Sequence, residues 1–103
     1  MKWIEKQLIY LTAEEFKATI NEFLEQLESQ QFPNVIIDDV HNKIAFQEIE
    51  PLGKFQNEKN KSLVVIKPAI CDHDFPKECA ITPTLKEAID YISFEQMQRD
   101  LGL

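Results

Sequence analysis

Four consecutive apolar residues, Leu63-Val64-Val65-Ile66, three of them β-branched, constrain this chain more than any other stretch. A strand wetted on one side alternates apolar with polar positions, so an unbroken apolar run belongs to a central strand buried on both faces. Pro68, which cannot donate to a ladder, bounds the run on its C-terminal side. The chain is therefore built on a sheet, and the remaining segments must supply its other strands and its cover.

The residues from Trp3 to Leu11 end in the β-favouring run Leu8-Ile9-Tyr10-Leu11 and read as a first strand. Thr12-Ala13-Glu14-Glu15 is a T-x-x-E capping box, in which the hydroxyl and the second carboxylate each accept a backbone N–H left unpaired at a helix start. Ala13, Phe16, Ile20, Phe23, Leu24 and Leu27 follow at helical spacing on one stripe, with most of the glutamates outside it. Phe32-Pro33-Asn34 ends that helix. Val35 to Val40 and Ile44 to Ile49 read as two strands of a hairpin turning at His41-Asn42. From Glu50 to Lys61 the pattern dissolves around Pro51 and Gly53, which predicts a mobile loop with Leu52 and Phe55 as its apolar members. Cys71 to Thr82 reads as irregular.

Thr84-Leu85-Lys86-Glu87 is a second T-x-x-E box, and behind it Leu85, Ala88, Ile89 and Ile92 form an inward stripe. At about 100° per residue, Phe94, Met97 and Leu101 fall roughly opposite that stripe. Ser93-Phe94-Glu95-Gln96 offers a fresh S-x-x-Q cap at the change, so either the helix breaks at Ser93 or its tail faces something new. The expected fold is α+β, a single domain over residues 1–103. In it, two main helices cover one face of a mixed four-stranded sheet, in the order β-α-β-β-β-α plus a short C-terminal helix.

Charge and glycine content narrow the function. A net charge of −7 argues against direct nucleic-acid binding and against docking on anionic membranes. No apolar run approaches the roughly 20 residues that cross a bilayer, and charge interrupts the first residues before a signal-peptide core could form, so a cytoplasmic location is expected. With only two glycines, Gly53 and Gly102, the chain has no phosphate-cradling loop of the G-x-G-x-x-G or P-loop type.

The segment Cys71-Asp72-His73-Asp74-Phe75-Pro76-Lys77-Glu78-Cys79 concentrates both cysteines, a histidine and three carboxylates. A metal- or thiol-dependent small enzyme would use it, with Cys71, His73 and Cys79 as ligands or as a thiolate and its base. Seven residues separate the two cysteines, however, outside the C-x₂₋₄-C spacing of structural zinc sites, and no metal or other cofactor is expected. Asp38-Asp39 after one strand and Lys67-Pro68 after another resemble the acidic pair and Lys-Pro of response-regulator receiver domains. The order of elements excludes that family, because the pair follows the first helix and no separate phospho-acceptor strand fits. Asp38 and Asp39 are expected at a solvated strand end, and His41 in an exposed turn.

The feature that points to a partner is the displaced stripe. Phe94, Met97 and Leu101, extended by Leu52 and Phe55, form a candidate apolar docking ridge on an acidic surface. The expected function is a cytosolic protein-binding or regulatory module of the adaptor, inhibitor or immunity kind, without catalytic activity, whose partner is another protein or a second copy.

Overall fold

A computed structural model of the chain describes residues 2–5, 8–18, 34–67 and 80–102. The strands are β1 (Lys2–Glu5), β2 (Leu8–Thr12), β3 (Asn34–Asp38), β4 (Leu63–Ile66) and β5 (Ala80–Thr82). Residues 13–18 belong to a first helix, α1, which is followed by α2 (Phe46–Glu58) and α3 (Leu85–Asp100). The five strands lie in the sheet in chain order. β2, β3, β4 and β5 run parallel to one another, and β1 pairs antiparallel with β2 at the edge.

The α+β fold expected from the sequence is the fold that forms, with differences inside it. The four-stranded core of the sheet is all parallel where a mixed one was expected, its antiparallel member being the additional strand β1. The stretch from Trp3 to Leu11 is two strands, because β1 and β2 pair antiparallel with each other, Trp3 facing Ile9 and Glu5 facing Leu8. Ile44 to Ile49 is no hairpin strand, and 50–61 is no loop: both give way to the single helix α2. Parallel neighbours need a crossover connection, and α2 is that crossover between β3 and β4. Ala80–Thr82, the part of the expected irregular stretch that lies among the described residues, is the strand β5, and of the two alternatives at Ser93 the helix takes the unbroken one and runs to Asp100.

The layering follows from the pleat. Alternate residues of each strand point to opposite faces, so Ile37 and Val65 join one buried cluster while Ile36 and Val64 join the other. On the first face lie Ala13 and Phe16 of α1 with Ile49 and Leu52 of α2. On the second lie Ala88 and Ile92 of α3, packed across β3, β4 and β5. The helices thus cover both faces, giving three layers where a two-layer sandwich was expected. Two right-handed crossovers made in the same direction along a sheet put their helices on the same side. α3 follows the edge strand β5 and takes the remaining face, as the Leu63–Ile66 run requires.

Local signals set the helix ends. Thr12 and Glu15 close the reciprocal capping box, with N–H to oxygen distances of 3.0 and 3.2 Å. The Thr84 hydroxyl accepts the Glu87 N–H at 3.2 Å. α2 ends in a Schellman turn, in which Asn60 takes φ +59° and the Lys61 N–H reaches the Gln56 carbonyl at 2.8 Å. Gly102, at φ +76°, performs the same service for α3.

Candidate functional site

The parallel strands β2 to β5 all end at one edge, the place where open α/β sheets hold their ligands. Between β3 and β4 that edge is occupied by two residues of the chain itself. Asp39 and Lys67 follow β3 and β4 in adjacent register, on the face covered by α1 and α2. Their side chains are fully buried and paired at 2.6 Å. The Lys67 ammonium donates to Asp39 Oδ2, to Asn42 Oδ1 at 2.7 Å and to the Ile44 carbonyl at 2.7 Å, which engages all three of its protons. Asp39 accepts the Lys43 N–H on Oδ1 at 2.7 Å and the Ile44 N–H on Oδ2 at 2.9 Å. This network pins the β3–α2 turn, in which Asn42 sits at φ +55°. Asp39 is therefore a buried anchor and not the solvated strand end expected, and Asp38 is half-buried. His41 is exposed in the turn, as expected.

The helix starts beside this edge carry their own anions. Glu14 and Glu15 stand in the first turn of α1, Glu48 accepts the Ala45 N–H at the start of α2 at 3.1 Å, and Glu87 lies in the first turn of α3. An incoming phosphate would meet these carboxylates at each dipole end. The Glu14 carboxyl is held below its ordinary range, first by a backbone N–H of the turn and then by Lys43.

On the α3 side of the sheet, the Tyr10 hydroxyl donates to Asp38 Oδ2. Burial first, then this hydrogen bond and the Asp38 charge, push the Tyr10 phenol up to about 12 from 10.0. The folded chain holds that proton more tightly than the unfolded chain does. Its contribution to stability is complete below pH 10 and is lost as the pH rises from 10 towards 12. Ultraviolet titration should show a phenolate transition near pH 12 that Tyr10→Phe removes, and a Tyr10 transition near pH 10 would contradict the assignment.

The residues nominated for docking divide. Phe94, Met97 and Leu101 are 54%, 52% and 68% exposed, and Tyr91, which the sequence reading passed over, joins them at 38%. Leu52 is fully buried and Phe55 packs against the same core, so neither extends the ridge: both belong to the inner face of α2. Cys71, His73 and Cys79 lie outside the described residues. Among the described residues, no group of three or more histidine, cysteine, aspartate or glutamate side chains is arranged to hold a metal ion.

The outward set of the ridge comes from two fastenings on the inner side of α3. Over the first half, Ala88, Ile89 and Ile92 pack on the sheet. Over the second half the inner side is polar: Ser62, just before β4, donates to Glu95 and accepts Arg99 Nη2 at 2.8 Å. The Ser62 N–H in turn donates to Asn34 Oδ1 at 2.9 Å. With its inner side fixed at both ends, the helix holds its other apolar row in water. No helix among the described residues is long and apolar enough to cross a membrane. Comparison of the chain with protein-family models, with curated proteins and with solved structures finds no match.

Proposed function

We propose that this chain is a non-catalytic protein-binding module of the adaptor, inhibitor or immunity kind, and that it docks a partner protein through the outer face of α3. The observation that carries the reading is the row Phe94, Met97 and Leu101, half or more exposed on a helix whose inner side is already fastened to the sheet. Spacings of three and four residues are those of a helix laid into an apolar groove, where each turn supplies one anchor. The strand ends of β3 and β4 support the same reading, since the buried Lys67 and Asp39 there are engaged with the β3–α2 turn.

The test uses position-specific cross-linking. A photoreactive phenylalanine analogue replaces Gln98, beside the row, or Lys54, exposed on α2, in the full chain expressed in its source cells. The expected result is a discrete cross-linked species from position 98 and none from position 54. Met97→Glu should reduce it about a hundredfold, because a carboxylate forced into an apolar groove costs several kcal/mol. The same substitution should shift folding stability by no more than about 0.5 kcal/mol, Met97 being solvated already. Equal cross-linking from both positions, or insensitivity to Met97→Glu, would remove the docking role of α3.

A further inference from the structure

The charges around the row specify its occupant more closely. On the side of the molecule formed by α1 and α2, surface carboxylates are matched with lysines: Lys43 with Glu14 at 3.1 Å, Lys54 with Glu50 at 3.0 Å and Lys17 with Glu48 at 3.7 Å. On α3 the matched pair, Arg99 with Glu95 at 3.7 Å, lies on the inner flank beside Ser62. Glu87 and Asp90 stand exposed, and among the described residues no cation comes within ion-pair distance of either. At about 100° per residue, Asp90 falls in line with Phe94 and Leu101, one turn nearer the N-terminus, and Glu87 falls close beside that line. The outer face of α3 therefore reads, from its N-terminal end, as a carboxylate end, Glu87 and Asp90 with the exposed Lys86 beside them and no ion pair to either among the described residues, followed by three apolar anchors.

A second copy of the chain meets this face at a cost in the registers that overlay the whole of it. In an antiparallel pairing that sets Phe94 against Met97 of the other copy, Asp90 lands on Leu101, so a carboxylate is desolvated against an aliphatic side chain. In a parallel pairing Asp90 faces Asp90. Each copy also carries a net charge of −7, which opposes approach. What satisfies both parts of the face is a surface that offers an apolar groove with a lysine or arginine at one end.

Resting on the docking role proposed for α3, we infer that the partner is a different protein, one with an apolar groove flanked by basic side chains at the end that receives Glu87 and Asp90. The row sets the depth of insertion and the carboxylates set the direction of α3 in the groove. A charge pair at the rim accelerates encounter and makes binding sensitive to salt, whereas two like charges brought together there oppose the complex.

The cross-link from position 98 serves as the assay, in the full chain with Asp90→Lys and Asp90→Asn. Asp90→Lys should lower the yield about tenfold or more, and Asp90→Asn should lower it less. Raising salt should weaken the unsubstituted chain more than the Asp90→Asn chain. Thermal unfolding of both variants should match the parent, and Asp90→Asn carries the test if the lysine variant is less stable. A yield indifferent to Asp90→Lys and to salt overturns the basic groove and leaves docking by α3 standing. A cross-linked species that proves to be two copies of this chain likewise overturns the heterologous partner alone. Absence of any cross-link specific to position 98 overturns both.

Discussion

Lys67→Met is expected to destabilise the fold by about 3–5 kcal/mol, measured by denaturant unfolding at neutral pH. Methionine nearly matches the lysine stem in volume, so packing of the apolar atoms changes little. What changes is the charge balance. Asp39, whose side chain is fully buried, keeps two backbone N–H donors and loses the cation paired with it at 2.6 Å. Asn42 and the Ile44 carbonyl lose their donor as well, so the turn entering α2 loosens. Against a total stability of about 5–15 kcal/mol for a domain of this size, such a loss leaves a large unfolded fraction at physiological temperature. Replacing both partners, as Asp39→Leu with Lys67→Met, should recover part of the loss, because no charge is then left stranded. A loss below about 1 kcal/mol for the single change would show that water reaches the pair in solution.

The second large effect separates two leucines that a sequence reading groups together. Leu52→Ala should cost about 2–5 kcal/mol, since its side chain is wholly enclosed between α2 and the sheet and its removal leaves a cavity. Leu101→Ala should change stability by about 0.5 kcal/mol or less while weakening partner capture, because most of that side chain is in water. Unchanged denaturant slopes with midpoints displaced for the first variant only would establish the division. Comparable losses for both would place Leu101 in the core.

How much of this was legible depended on the range of the interaction. The boxes at Thr12 and Thr84 are local: the first closes in both directions within three residues as read, and the second forms by its hydroxyl half alone. The double burial of Leu63 to Ile66 was also legible, because an apolar run needs no knowledge of its neighbours. α2 was not, since Pro51 and Gly53 oppose a helix by intrinsic preference and are overridden by packing of Ile49, Leu52 and Phe55 against the sheet. The alternation of Ile44, Phe46 and Glu48 also imitates a strand, and only the parallel pairing of β3 with β4 decides for a crossover helix. The Asp39–Lys67 pair depends on register between segments 28 positions apart, which no local pattern encodes. The exposed row was partly legible: Phe94, Met97 and Leu101 stood out by angle, while Tyr91 and Asp90 join it only once the helix is seen to pass unbroken through Ser93.

The sheet order has a consequence for how the chain is born. Each described strand from β2 onward lies beside the one made before it, so the sheet can grow outward as synthesis proceeds without waiting for a distant partner. One surface of that growing sheet, carrying Ile36, Val64 and Ile66, receives the side chains of Ala88 and Ile92 only after all the strands exist. Until α3 leaves the ribosome these strand residues lack the cover that Ala88 and Ile92 give them, and exposed apolar strand surface of this kind is what makes a nascent chain prone to aggregate.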